Sequence, residues 1–248
     1  MIRLQGVSKR YKGASTYAVR DLDLEVRPGE IFGFLGPNGA GKTTTIKMIV
    51  GLLKADQGKV LVNGHDLTLD PIAAKRSMGY VPDKPDLYPR LTGLEYLNLI
   101  GDVYGVDGPT RSKRLAHYLE MFQLTEAVGD LIQSFSRGMQ QKLALTGALL
   151  HAPALFILDE PMVGLDPKSS HLFKEIMREH VKQGNTVFFS THVLEVAEQL
   201  CNRVGIIKQG ELIACGTMEE LRTGRDRDGS SLEKLFLELT DEGGSYEE

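Results

Sequence analysis

Residues Gly36-Pro37-Asn38-Gly39-Ala40-Gly41-Lys42-Thr43-Thr44 constrain this chain more than any other stretch, because they fit the spacing G-x-x-x-x-G-K-[ST]. That spacing has meaning only between a strand and a helix, where successive backbone N–H groups can curl round an anion at the helix's positive end. The apolar run Ile31-Phe32-Gly33-Phe34-Leu35 precedes it and Thr45-Ile46-Lys47-Met48-Ile49-Val50 follows it, so both flanks are present. The chain is therefore predicted to be an α/β protein whose loop cradles phosphate. Glycines allow backbone approaches that a Cβ would block. Lys42 is spaced to reach the β- and γ-phosphates, and the Thr43 hydroxyl to bind Mg²⁺. The predicted ligand is a nucleoside triphosphate. Kinases, GTPases and motor ATPases all use such a loop, so what the phosphates drive must be read elsewhere in the chain.

Composition removes several classes. The 248 residues are 42% hydrophobic and 25% charged, an ordinary balance for a globular chain that buries a sizeable core, and one domain, with room for a lobe, is expected. A formal net charge of -4 and the lack of any basic block give no electrostatic case for a nucleic-acid surface. Cys201 and Cys215 lack metal-type spacing and sit among apolar residues, which predicts small buried hydrophobes in a reducing compartment. No apolar run approaches the roughly 20 residues needed to span a bilayer, and Met1-Ile2-Arg3-Leu4-Gln5 lacks the apolar core of a signal peptide. The expected compartment is the cytoplasm.

Along the chain, Ile2 and Leu4, then Leu22, Leu24 and Val26 set against Asp21, Asp23 and Glu25, show the period of two of half-buried antiparallel strands. Between them Ser8-Lys9-Arg10-Tyr11-Lys12-Gly13 reads as a basic, mobile segment whose Tyr11 could stack on an adenine ring. Lys59-Val60-Leu61-Val62 ends at Asn63-Gly64, a strong hairpin signal, and returns the chain to this β layer. From about Asp83 to Ala152 the pattern turns helical, opening on the capping box Thr92-Gly93-Leu94-Glu95, and reads as an inserted lobe. Then Leu155-Phe156-Ile157-Leu158 and Thr186-Val187-Phe188-Phe189 flank an amphipathic helix near Lys168 to Lys182, so strand, helix and strand imply a parallel sheet. Thr240 to Glu248 is acidic and is expected to form a loose tail.

Asp159-Glu160 puts two carboxylates at the C-terminal end of a buried strand, the edge at which open α/β sheets bind ligands. The natural division is that Asp159 serves the Mg²⁺ sphere while Glu160 polarises the attacking water. Ser190-Thr191-His192 ends the next strand and brings an imidazole toward the γ-phosphate. The helical segment adds Ser134-Phe135-Ser136-Arg137-Gly138-Met139-Gln140-Gln141-Lys142, where Ser136 is a good N-cap. Gly138 in the first turn costs helix stability, which points to a second phosphate-facing helix end. A whole lobe separates the two helix ends, so one nucleotide touched by both needs two copies meeting head to tail.

In this order the elements resemble the nucleotide-binding subunit of ATP-binding cassette (ABC) transporters across nearly the whole chain. The resemblance implies a P-loop NTPase with a RecA-like parallel core sheet and N-terminal antiparallel β layer (residues 1–82 and 153–223), a helical subdomain (83–152) and a C-terminal helix and tail (224–248). It assigns Tyr11 to adenine stacking and Gly36, Pro37, Asn38, Gly39, Ala40, Gly41, Lys42, Thr43 and Thr44 to the Walker A loop. Phe135 to Met139 take the place of the signature L-S-G-G-Q, with Ser136 and Gly138 acting on the opposing subunit's ATP. Leu155 to Glu160 form the Walker B strand, Glu160 with Lys42 and His192 being catalytic, Gly164-Leu165-Asp166 the dimer-contacting D-loop, and His192 the switch histidine. ATP and Mg²⁺, a second ATP-binding subunit and a polytopic transmembrane permease are implied, with the chain peripheral on the inner face of the membrane and no nucleic-acid partner.

The pattern is departed from twice. Arg137 and Met139 replace the usual glycine and glutamine of the signature, and Asp83, closing Gly79-Tyr80-Val81-Pro82-Asp83, stands where the family carries the Q-loop glutamine. A carboxylate accepts hydrogen bonds and can meet Mg²⁺ but cannot donate as an amide does, which makes Asp83 a candidate metal residue that senses the γ-phosphate. The wording of these segments is similar to the exporter branch that handles drugs, antibiotics, lipids or polysaccharides. The expected function is ATP hydrolysis that powers export through a partner; the alternative is a cytosolic cassette ATPase acting on ribosomes or DNA.

Overall fold

Period-two alternation produces the first layer. The computed structural model describes residues 1–162, 165–223 and 236. In it β1 (Ile2–Lys9) and β2 (Val19–Val26) pair antiparallel, Ile2 opposite Val26 and Leu4 opposite Leu24. Their apolar residues point inward and their charged ones out. Ser8 and Lys9 belong to β1 instead of the segment that follows it; Ser8 is buried, and the Lys9 ammonium is tied to Asp56 at 2.7 Å.

The phosphate loop lies between β3 (Ile31–Leu35) and α1 (Lys42–Ile49). Next come β4 (Gln57–Val62) and β5 (His65–Asp66), joined through Asn63 and Gly64, whose φ values of 50° and 84° are what a two-residue primed turn requires. These complete an antiparallel sheet of order β2-β1-β4-β5. After α2 (Pro71–Arg76) and β6 (Met78–Val81), the helical stretch runs through α3 (Gly93–Val103), α4 (Gly108–Met121) and α5 (Arg137–Leu150). Thr92 and Glu95 make the expected capping box on α3.

The chain continues as β7 (Leu155–Asp159), α6 (Pro167–Lys182), β8 (Thr186–Thr191) and α7 (Leu194–Leu200). It closes with β9 (Arg203–Lys208), β10 (Glu211–Thr217) and α8 (Met218–Thr223). The second sheet has the order β10-β9-β3-β8-β7-β6, parallel except for its β10 edge. Of the earlier expectations, Gly164 of the D-loop and the C-terminal helix and tail over 224–248 lie outside the described residues, apart from Phe236.

Every residue of β3, β7 and β8 is buried, as a sheet covered on both faces demands. Alternation then sends neighbours to opposite cores. Leu155, Ile157 and Phe188 join Phe32, Phe34, Ile46 and the antiparallel layer, while Phe156, Leu158, Val187 and Phe189 join Leu143, Leu145 and Leu149 of α5 and Phe173 and Met177 of α6. The helical stretch thus shares its apolar packing with the parallel sheet, which fixes α5 relative to the strand ends that carry Asp159 and His192. Cys215 is exposed, contrary to the expectation of burial, because it sits on the edge strand β10. Among the described residues no helix is long and apolar enough to cross a membrane.

Two histidines serve this packing. His180 lies against Phe156 with ring centroids 5.8 Å apart, and its Nε2 has no hydrogen-bond partner among the described residues. The ring of His151 stacks on Tyr104 at 3.6 Å, and its Nε2 donates to the Met78 carbonyl oxygen at 3.2 Å. Burial pulls both down to about 4. An unfolded histidine titrates near 6.5, so between about pH 6.5 and 4 the unfolded chain binds the extra protons and stability falls as pH falls. The urea midpoint is expected to drop from pH 7.5 to pH 5, each ring contributing on the order of 1 kcal/mol. His180→Leu should flatten that slope; an unchanged slope would show that His180 does not titrate on unfolding.

Candidate nucleotide site

Close backbone packing explains the loop's glycines. A Cβ on Gly36 would fall 2.4 Å from the Ile207 carbonyl oxygen, and one on Gly41 would fall 2.5 Å from that of Ala18. Gly41 also sits at φ 109°, which a side chain disfavours. As the N-cap of α1 it has no side chain with which to satisfy the first-turn amides, and no acidic residue occupies that turn. The end of α1 is therefore open to an external anion.

Lys42 is buried, and its ammonium donates to the Gly36 and Pro37 carbonyl oxygens at 2.7 and 3.2 Å. Burial lowers its pKa, and the neighbouring Glu160 and Asp159 carboxylates oppose that shift. Thr43 is exposed beside it. A cleft of about 270 Å³ is lined by Ala18, the loop, Asp83, Asp159 and Glu160. Its walls are largely polar and its charges are the Lys42 ammonium facing three carboxylates, a layout suited to phosphates carried with a cation.

The strand register assembles the carboxylate end. Asp159 pairs with Ser190 across β7 and β8. The Ser190 hydroxyl donates to Asp159 Oδ1 at 2.6 Å and accepts the Glu160 backbone N–H at 3.1 Å, so this one side chain orients both acids. Asp159 is only 2% exposed. Glu160 sits in the left-handed region at φ 49°, which costs a non-glycine residue on the order of 1 kcal/mol and here turns its carboxylate back toward the loop. One oxygen lies 3.7 Å from Lys42 Nζ and the other 3.0 Å from His192 Nδ1. Lys42, Asp159, Glu160 and His192, chosen from distant parts of the sequence, form one connected group.

Tyr11 is 45% exposed, and its hydroxyl lies 3.3 Å from that of Thr44, so an open ring face stands at the side of the loop. Tyr17, which no sequence motif marks, lines with Tyr11 a groove separate from the phosphate-loop cleft, and the Arg10 guanidinium lies over its ring at 5.5 Å. Ser190 is the other residue that motif reading does not single out; its position opposite Asp159 in the parallel register is the signal that finds it.

Phe135 is buried and anchors the turn that opens α5, where the Ser136 hydroxyl accepts the Met139 N–H at 3.3 Å. Gly138 is the second residue of that helix. Neither Ser136 nor Gly138 lines the cleft that holds Lys42, Asp159 and Glu160. Asp83 does, and it also reaches across to Arg137, 3.5 Å away.

Comparison with known proteins agrees with this geometry. The family model described as ABC transporter matches residues 19–163. The linearmycin resistance ATP-binding protein LnrL of Bacillus subtilis (strain 168) is 42% identical over 228 residues, covering 91% of this chain and 73% of the relative. A solved ATP binding subunit of an ABC transporter superposes with a TM-score of 0.92 at 35% identity, covering 97% of this chain and 100% of the other. A dimeric post-hydrolysis state of the ATP-binding cassette MJ0796, bound to ADP and Pi, superposes with a TM-score of 0.80 at 28% identity, covering 88% and 99%.

Proposed function

This chain belongs to the ABC transporter family of ATP-binding subunits, and we propose that it powers export through a partner membrane protein by closing as a dimer around ATP. The observation that carries the two-copy reading is the division of the site. The loop, the acids and His192 converge on one cleft, while Ser136 and Gly138 open a helix outside it. Each ATP is held by the Walker A loop of one copy and the signature helix of the other, an arrangement in keeping with the dimeric ADP- and Pi-bound neighbour. Residues 83–152 are the signature-bearing unit of that dimer, and the core over 1–82 and 153–223 is the nucleotide-bearing one.

In this reading the amides of Gly39 to Thr44 and the Lys42 ammonium hold the phosphates, and Tyr11 stacks on the adenine. Glu160 accepts a proton from water and orients it for in-line attack on the γ-phosphate, with His192 fixing the carboxylate. The Thr43 hydroxyl, Asp159 and Asp83 are hard oxygen donors that fit Mg²⁺. No three His, Cys, Asp or Glu residues among those described form a cage of their own, which suits an ion that keeps waters and takes phosphate oxygens. When bound there, Mg²⁺ supplies charge neutralisation for the phosphates.

Shared sites have a kinetic consequence. ATPase rate per chain should rise with protein concentration until dimers saturate, so dilution tenfold below the dimer dissociation constant should cost about tenfold in specific activity by mass action. A rate per chain that stays flat into sedimentation-verified monomer overturns the sandwich. Affinity capture of the tagged chain from detergent-solubilised membranes tests the coupling: a polytopic membrane protein should come with it. Recovery with ribosomes or DNA alone would instead favour a cytosolic cassette ATPase.

A further inference from the structure

Asp83 and Arg137, the two charged departures from the motif pattern, meet in the folded chain. Arg137 Nη2 lies 3.5 Å from Asp83 Oδ1. Neither is an idle surface charge. Asp83 is at the same time a wall of the nucleotide cleft, and Arg137 is the first residue of α5, next to Ser136. A cation in the first turn of a helix opposes the helix dipole, so an arginine there is placed against local helix preference. α5 has no acidic residue in its first turn to offset it, and the compensating anion comes from Asp83, outside the helix. The other cation of α5, Lys142, is largely buried and is taken by Asp166 at 3.3 Å.

Asp83 therefore has two cationic claimants: Arg137, and the metal ion that accompanies a nucleotide in the cleft it lines. We propose that the Asp83–Arg137 pair is an exchangeable latch. It ties the cleft wall to the signature helix until Mg²⁺ and nucleotide enter, when Asp83 turns to the cleft and releases Arg137. The freed guanidinium meets the triphosphate held by a second copy of this chain. This inference rests on the two-copy reading above, and it adds a phosphate-contacting residue and an order of events: the helix end becomes fully positive only after its own subunit is loaded.

The relative strengths favour exchange. The paired side chains are 58% and 40% exposed, and an ion pair so well solvated is weak and readily broken. A guanidinium against phosphate oxygens is charge-assisted and can be bidentate, which an aspartate shared with a metal cannot match. Each copy would thus present a masked cation until it carries nucleotide, which discourages closure of a dimer with empty sites.

The test uses the full chain in the Glu160→Gln background, with the ATP-dependent dimer constant measured by sedimentation and monomer ATP affinity by nucleotide fluorescence. Arg137→Ala should weaken the dimer by about tenfold or more while monomer affinity moves by less than about twofold, and Arg137→Lys should restore part of the loss. At limiting Mg²⁺, Asp83→Asn should tighten the dimer several-fold, on the order of threefold, and that gain should vanish when Arg137 is Ala. Dimerisation by Arg137→Ala equal to the parent's, or independent additive effects of the two substitutions, would overturn the latch while leaving the sandwich standing. A Glu160→Gln parent that stays monomeric in ATP and Mg²⁺ would remove the sandwich itself, and the latch with it.

Discussion

Glu160→Gln is expected to bind ATP as well as the unmodified chain or better, to lose hydrolysis by about 10²-fold or more, and to accumulate as an ATP-loaded dimer. The substitution keeps the size of the side chain and removes one negative charge from a cleft that must admit a triphosphate. The carboxylate it replaces lies 3.7 Å from Lys42 Nζ and 3.0 Å from His192 Nδ1. An amide in that place can still hold water by a hydrogen bond but cannot accept its proton, so binding survives and the chemical step does not. If dimers open by hydrolysis, those that cannot hydrolyse accumulate. Single-turnover measurement of phosphate release, with sedimentation in ATP and Mg²⁺, checks both halves. Turnover within about twofold of the unmodified chain would remove Glu160 as the base.

His192 separates this assignment from a simple charge effect. Its contact is with the Glu160 oxygen that does not face Lys42, which suits the proposed pairing of a base with a residue that aims it. The left-handed backbone at Glu160 belongs to the same economy of position: an uncommon φ is tolerated at the residue whose side chain has to turn back over the loop.

The parts of the fold that could be read directly are those where a local rule and the tertiary environment agree. Leu155, Phe156, Ile157 and Leu158, and likewise Val187, Phe188 and Phe189, are apolar without a break because both faces of the sheet are covered, and the shortness of these runs marks them as strands. Thr92 and Glu95 announce α3 because a capping box is complete within four residues. Lys42, Asp159 and His192 could be grouped because strand ends of a parallel sheet share one edge. What escaped depends on contacts that no local pattern encodes. The edge pair β9 and β10 has no counterpart among the sequence expectations; it carries only a short apolar run, Val204 to Ile207, ahead of a turn at Gln209 and Gly210. Exposure of Cys215 follows from β10 being an edge, which the residues around it do not reveal. Ser190 reads as an ordinary strand serine until the register puts it between two acids. Asp83 and Arg137 each look like an isolated departure, and only folding joins them.

Lys42→Ala should cost ATP affinity by about 30-fold or more, with secondary structure retained. In the folded chain the ammonium is buried and donates to the Gly36 and Pro37 carbonyl oxygens, so it is already desolvated and aimed into the loop where phosphates will sit. A charge held this way needs little reorganisation on binding, and a charge-assisted hydrogen bond to phosphate is worth about 1.5–3 kcal/mol. Its removal has a second consequence. Asp159 and Glu160 face the same cleft as the ammonium, and both raise its pKa against the effect of burial. Without it, an incoming triphosphate meets two carboxylates with less compensation, so the loss should exceed that of one hydrogen bond and grow as ionic strength falls. If the side chain spans the β- and γ-phosphates as proposed, ADP should lose less than ATP, since ADP retains only the first of those contacts. Equilibrium titration of both nucleotides at two salt concentrations resolves these effects; equal losses for ATP and ADP would place Lys42 on the β-phosphate alone, and no loss for either would remove it from the phosphate site.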